Sequence, residues 1–329
     1  MRWSTYSPVA LIARRQRRAK AFVEPKGFVR DFKISGGRVY LRKTGNSAAL
    51  DARLLREVAT WLAFTGLVGL RGLAVRARRR GPRLVFVPDV PHARYMARAA
   101  ATWAGMRVTN DPATADAAFY FDDATIAAPP PPPAQRHFNF GCGDISKSRV
   151  AQVFEASFGY PLTIDPLSWR GPAVAKSETN GAHDGHIVDC PCLPVPGLVY
   201  QRLVDTVAAD GFAEDLRVSC VGGVVINVVV KRRAVAVRFL PPNATAVAAD
   251  PATIFSDAER AGIARFCVAM SADWCGLDIL RDRHDGRIYI VDLNKTDAGP
   301  VIALPLRDKL ASTARLAAAL RALVDPVAA

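Results

Sequence analysis

The sequence predicts a mixed chain, α/β and α+β: a small open α/β unit, then a larger region containing antiparallel hairpins, with a basic extension ahead of both. Three observations carry this. From Arg83 onward, short apolar runs alternate with an Ala-rich stretch, the rhythm of strand, helix and strand in an open sheet. Farther on, alternating runs meet at Gly222-Gly223 and again at Asp285-Gly286, dipeptides suited to tight hairpin turns. The charge is also uneven. Residues 1–83 hold 20 Lys and Arg against 4 Asp and Glu, whereas residues 84–329 hold 24 against 26. The net charge of +14 therefore belongs to the first quarter of the chain.

At 329 residues, half of them hydrophobic, the chain is long enough for two or three packed domains. The basic excess suits an anionic surface such as a membrane leaflet, reached through residues 1–83. The aromatic residues there are not interleaved in the way single-strand binders use for stacking, so nucleic acid is not an expected partner. No run reaches the length of a membrane span; the best, Val58 to Leu70, is uncharged for only 13 residues. The basic segment Arg14 to Lys20 is not followed directly by an apolar run, so no secretory signal is expected. The six cysteines (142, 190, 192, 220, 267 and 275) lack Cys-x-x-Cys spacing and read as reduced, mostly buried thiols of a cytoplasmic protein. His183 and His186 lie among glycines and read as loop residues. The oligomeric state is not legible.

Taken in order, residues 1–82 form the basic extension, with a hairpin over Phe32 to Leu41, a helix over 48–73 (Leu50, Leu54, Val58 and Leu62 at helical spacing) and a basic connector Arg76 to Arg80. Residues 83–128 form the small α/β unit: a strand at Leu84 to Pro88, a helix at Ala93 to Ala104, and strands at Arg107 to Thr109 and Ala117 to Phe121. Asp89, His92 and Arg94 follow the first strand at its carboxyl end, where open sheets place ligands. Five prolines, Pro129 to Pro133, make 129–134 a stiff polyproline linker of about 15 Å. Residues 135–325 form the main domain, closing on an amphipathic helix, Leu306 to Val324.

The chemistry concentrates in that main domain. Ser146 is positioned to cap a helix whose first turn holds Lys147, facing any anion bound there. Pro172 to Lys176 reads as a strand, and a lysine on a buried strand needs an anionic partner. The following loop, with Gly181 and Gly185, can offer backbone N–H groups to phosphates. Leu198 to Asp205 reads as a strand with polar Gln201 inside an apolar run. Asp215 and Arg217 share one strand face, and Ser256 to Glu259 is a capping box. Finally, Asp292 and Asn294 lie two apart on a strand, and a hairpin centred near Asp285 sets Asp278 across from Asp292. Three oxygen ligands then converge on one face, as a hard divalent cation such as Mg²⁺ requires.

Taken together, these segments resemble, in order and spacing, the ATP-grasp superfamily over roughly residues 84–310, in particular its carboxylate–amine and carboxylate–thiol ligases with a small α/β domain ahead of a two-part ATP-grasp fold. The resemblance implies that Lys147 and Lys176 are the two phosphate lysines. Gln201 and Leu203 match the hinge that reads adenine, and Asp205 the acid for the ribose. Asp215 binds on the nucleotide side, while Arg217, Arg233 and Arg238, with Asn243, face the transferring phosphate. Asp278, Asp292 and Asn294 would bind Mg²⁺, or Mn²⁺ in its place, with ATP. The implied activity is ATP-dependent activation of a small-molecule or peptide carboxylate as an acyl phosphate, which an amine or thiol then attacks. Two departures stand out: Asp292 replaces the usual Glu, and Ala244-Thr-Ala-Val247 replaces a Gly-rich segment. They keep two other readings open, a degenerate module that binds ATP without catalysis and a protein that binds anionic surfaces through its basic N-terminus.

Overall fold

The computed structural model describes residues 32–41, 47–93, 95–239 and 245–325. The basic segment Arg14 to Lys20 and the candidates Arg94 and Asn243 lie outside them. The chain forms two compact units, Met1–Thr60 and Trp61–Ala329.

In the first unit, β1 (Phe32–Ser35), β2 (Arg38–Leu41) and β3 (Ser47–Ala49) make an antiparallel meander. The expected hairpin is present. The helix that follows, α1 (Ala52–Arg78), starts and ends later than the apolar spacing predicts. Its start is displaced because Ser47–Ala49 pairs with β2 as a strand and the Asp51 carboxylate then accepts the Leu54 N–H at 2.8 Å. Its end is extended because arginine is a good helix former, so the basic stretch continues the helix to Arg78. This corrects the sequence estimate of apolar length. Leu54–Arg78, 25 residues whose most apolar 18-residue window has a mean hydropathy of 1.6, is long and apolar enough by length and composition to cross a membrane. The uncharged-run criterion stopped at Arg71, whereas hydropathy averages over it. Within the second unit the helix buries Phe64 and Val68 against Ala99 and Trp103.

The second unit is mixed α/β, as the sequence predicts. Its parallel sheet contains β4 (Arg83–Pro88), β5 (Arg107–Val108), β6 (Ala117–Phe121) and β7 (His137–Phe138), in the order β5-β4-β6-β7, with α2 (Met96–Trp103) as the crossover helix. All five β6 residues are buried, as expected of a central parallel strand covered on both faces. Next come α3 (Lys147–Phe158), capped by Ser146 Oγ, and a second sheet of β8 (Gly171–Ser177), β9 (His186–Cys190) and β10 (Leu198–Arg202). β10 is shorter than the sequence suggests, and Leu203 to Asp205 lie beyond its end.

The third sheet positions the site. It contains β11 (Phe212–Val221), β12 (Val224–Ala234), β13 (Thr245–Ala249), β14 (Trp274–Arg281) and β15 (Ile288–Asn294), in the order β13-β12-β11-β14-β15 and antiparallel throughout. Between β13 and β14 run α4 (Pro251–Ile254) and α5 (Asp257–Ala269), the latter closed by the expected capping box of Ser256 and Glu259. Such a cap contributes about 1 kcal/mol. α6 (Leu306–Val324) ends the described chain and packs Leu316 and Leu320 with Phe119 and Trp274.

Strand alternation sorts this third sheet into two chemistries. Leu216, Val218 and Cys220 of β11, with Cys275, Leu277 and Ile279 of β14, pack on Val150 and Phe154 of α3 and Ile263 and Phe266 of α5. Their neighbours of opposite parity, Asp215, Arg217, Gly276 and Asp278, occupy the other face. Five of the six cysteines are buried, and all six are free thiols. Three of them, Cys220, Cys267 and Cys275, meet in the core behind the site.

Candidate active site

Register brings the charged residues together. Asp278 pairs directly with Asp292 across the β14–β15 hairpin, and Arg217 pairs with Asp278 across β11 and β14. Asp215 lies opposite Lys231 across β11 and β12. Cross-strand partners share a face, so these five side chains form one continuous polar surface.

Each carboxylate on that surface has a cation. Lys147 Nζ, at the first turn of α3, lies 2.5 Å from Asp292 Oδ1. Asp278 accepts from both sides: Arg217 Nη1 at 3.1 Å and Lys231 Nζ at 3.0 Å. Arg217 donates its other arm to Asp297, which is 4% exposed. Asp215 pairs with Arg233 Nη2 at 2.9 Å, and Arg233 Nη1 donates to the Arg238 carbonyl at 3.2 Å. Lys176, on β8, reaches the Val291 carbonyl at 3.0 Å. Lys147, Lys176, Arg217, Lys231 and Arg233 thus outnumber Asp215, Asp278, Asp292 and Asp297, a surplus suited to phosphate oxygens.

Burial and partners compete in setting the protonation states. Burial pushes the Asp278 carboxyl up, but Lys231 and Arg217 outweigh it and hold the group well below the usual carboxylate range. Arg217 is pulled down by burial and carried above its ordinary value by Asp297 and Asp278. Burial raises Asp215 despite Arg233, and it lowers Arg238. Lys176 is pulled down to about 8 by burial, with Asp292 opposing and Lys147 reinforcing.

Gly276 makes room for this network. A Cβ there would stand 2.8 Å from Arg217 Nη2 and 2.9 Å from the Asp297 carboxylate, so the Arg217–Asp297 pair can cross β14 only over a glycine.

The nucleotide-side candidates fall into two groups. Gln201 is 2% exposed, and its amide Nε2 has no hydrogen-bond partner among the described residues. An orphaned buried donor costs about 1–3 kcal/mol until an acceptor meets it. Leu203 is partly buried just past the end of β10. Arg238 Nη2 donates to the Val204 carbonyl at 3.2 Å, joining this segment to the Asp215–Arg233 pair. Asp205 stands apart from the charged surface: its Oδ1 accepts the Val207 N–H at 3.0 Å, and its Oδ2 lies 3.2 Å from His284 Nε2.

Two members of the surface escaped the sequence reading. Lys231 is two residues before Arg233 on the same strand, so period-2 alternation was a signal that it faces the same way. Asp297 lies beyond β15, where no periodicity applies. Asp89 and His92 are exposed on the loop after β4.

The oxygen set of Asp278 and Asp292 fits a hard divalent cation, with two carboxylates in register on one face. Asn294 shares that face, but its Oδ1 already accepts the Thr296 N–H at 2.8 Å and Oγ1 at 3.1 Å.

No protein-family model and no curated protein matches the sequence. Solved structures do. The ATP-grasp ligase PsnB, complexed with a phosphomimetic variant of its minimal precursor, Mg and ADP, is 13% identical at a TM-score of 0.46, covering 74% of this chain and 98% of that one. The RimK domain ATP-grasp protein of Sphaerobacter thermophilus is 13% identical at 0.45, covering 74% and 99%. The D-alanine–D-alanine ligase of Bacillus anthracis complexed with ATP is 12% identical at 0.42, covering 75% and 98%. The chain is similar to ATP-grasp ligases. That is the family its sequence motifs resemble.

Proposed function

We propose that this protein is an ATP-grasp ligase, using Mg-ATP to activate a carboxylate as an acyl phosphate for attack by an amine or thiol. The observation that carries the reading is the chain of ion pairs on one sheet face: Lys147 to Asp292, then Lys231 and Arg217 on Asp278. Basic groups to meet phosphates and carboxylates to meet a divalent cation are held side by side before either arrives. Asp278 and Asp292, with Asn294, would hold Mg²⁺, which supplies charge neutralisation across adjacent phosphate oxygens.

Each side chain then has a task. Lys147 and Lys176 hold the phosphates of ATP by point charge, and Gln201 offers its unpaired amide donor to the base. Arg217 reaches the transferring phosphoryl group with Asp297 fixing its orientation, while Arg233 and Arg238 extend positive potential beyond it. Asp215 orients Arg233. Such a site works by positioning and by charge placed in advance of the transition state. Peptides and amino acids are the substrates to try first, because the similar ligases include one complexed with a precursor peptide and a D-alanine–D-alanine ligase.

The test is ADP and phosphate release, with Mg²⁺ present, across a panel of amino acids and peptides offered as carboxylate and amine pairs. Pair-dependent release that Asp292→Ala abolishes supports the reading, and turnover that survives Asp292→Ala defeats the site assignment. A second reading, an ATP-binding module without catalysis, is favoured by Asp292 standing where the family carries Glu, one methylene shorter. It expects Mg-dependent ATP binding with no phosphate release from any pair.

A further inference from the structure

The parallel sheet carries a second charged assembly that the ligase reading does not use. Because β4, β5, β6 and β7 run parallel, their first residues line up along one edge, with neighbouring strands about 4.8 Å apart. Arg107 is in register with Arg83. Asp116, just ahead of β6, is bound to Arg83 through both backbone and side chain: its N–H donates to the Arg83 carbonyl at 2.9 Å, and its Oδ2 accepts the Arg83 N–H at 2.7 Å. Arg136 precedes β7, and its carbonyl accepts the Ala118 N–H at 2.9 Å. This is the end of the strands opposite the loop bearing Asp89 and His92.

These residues line a cavity of about 500 Å³, together with Arg80 and Thr114. Arg80, Arg83 and Arg107 have no carboxylate within ion-pair distance among the described residues. Arg136 donates to the Val324 carbonyl at the end of α6, at 2.5 Å. The Asp116 carboxylate is engaged by a backbone N–H, and Asp325, also on the wall, faces Arg321 at 3.7 Å. The link between Arg80 and Arg83 is fixed as well, since a Cβ on Gly81 would come within 2.4 Å of the Gly105 carbonyl. Like charges in register repel each other, and the four arginines of this wall outnumber its two carboxylates, Asp116 and Asp325. Guanidinium forks match phosphate oxygens in pairs, and this edge is open to solvent, so a charged group can reach them.

We propose that this edge is a second anion site, taking a ligand with a phosphate monoester or diphosphate group, either free or as a lipid headgroup. The site stands independently of the ligase reading.

The test uses the full chain at low ionic strength, with two probes: inorganic pyrophosphate by titration calorimetry, and vesicles containing phosphatidic acid, a phosphate monoester lipid, by flotation. The double variant Arg83→Gln/Arg107→Gln is compared with a charge-matched control on exposed arginines elsewhere, Arg170→Gln/Arg307→Gln. Binding of either probe is expected to weaken roughly tenfold or more in the first variant and to hold in the control. Pyrophosphate binding assigns a soluble ligand, and vesicle binding alone assigns a headgroup. Binding unchanged by the double variant, equal loss in the control, or no binding of either probe overturns the proposal. The Arg83 and Arg107 side chains make no hydrogen bond among the described residues, and Mg-ATP binding measured in parallel separates this site from the sheet face of Asp278 and Asp292.

Discussion

Two of the three sheets of the second unit, the five-stranded antiparallel one and the parallel one, treat charge in opposite ways. On the antiparallel sheet, Arg217, Lys231 and Asp278 are partly buried and satisfy one another within 3.1 Å. On the parallel sheet, Arg83 and Arg107 stand in register at an exposed edge with no acid between them. The difference follows from solvent access. A charge withdrawn from water must find a partner or be neutralised, an acid by gaining a proton and a base by losing one, whereas a hydrated charge bears only modest repulsion. Thus the first assembly is bound up with the stability of the fold, and the second is nearly independent of it. Removing charge should do damage on one sheet and none on the other.

The largest expected effect is at Asp292. Asp292→Ala deprives Lys147, 6% exposed, of its ion-pair partner and removes one of two facing carboxylates. ADP release under saturating Mg-ATP should fall by about 10³. Denaturant unfolding should show a loss of about 3 kcal/mol, because a stranded buried charge is costly. A fully stable variant would mean that the pair is solvated and that the contrast between the sheets is overstated. Gly276→Ala should come next. Its Cβ displaces the Arg217–Asp297 pair without removing any charge, and overpacking of this kind costs about 1–3 kcal/mol. Turnover should fall with it, while Mg-ATP binding through Lys147 and Lys176 persists.

How far the sequence reveals these sites depends on periodicity. The Asp278–Asp292 register was legible because a hairpin with a known turn fixes every cross-strand pair, and Ser146 and Ser256 were legible as caps because capping is local. Lys231 was within reach by the same alternation that exposed Arg233. Asp297 was not, because it follows the strand in irregular chain, and its role depends on Arg217, 80 residues earlier. The arginine edge was hidden for a similar reason. Arg83, Arg107 and Arg136 are scattered in sequence and meet only when parallel strands are aligned, while their positive charge merged into a generally basic composition. The end of α1 was misjudged because charge was taken to interrupt an apolar helix, which it need not do.

A subtler effect distinguishes buried from exposed cations by pH. Burial holds Lys176 at about 8 against an ordinary 10.5, so between those values the unfolded chain carries more protons than the folded one. Stability from this group is complete above 10.5 and is lost as pH falls through about 8. Nucleotide affinity should move the other way, weakening as pH rises past 8 and the ammonium that meets phosphate disappears. Comparison with Lys176→Met isolates both trends, and parallel curves for the two proteins would rule out a lowered lysine.

The smallest effect has the opposite sign from the first. With no anion bound, Arg83→Gln/Arg107→Gln relieves repulsion between two charges in register and breaks no side-chain hydrogen bond among the described residues. The variant should therefore be more stable than the parent by a few tenths of a kcal/mol at low salt. Because exposed charges are screened within about 10 Å at 0.1 M salt, the gain should shrink as salt is added. Unfolding curves at two ionic strengths read both features. A destabilised variant would show that the two arginines hold the edge together, and the parallel sheet would then resemble the antiparallel one in depending on its charges. A gain that fades with salt would show that this edge is arranged for a partner other than the protein itself.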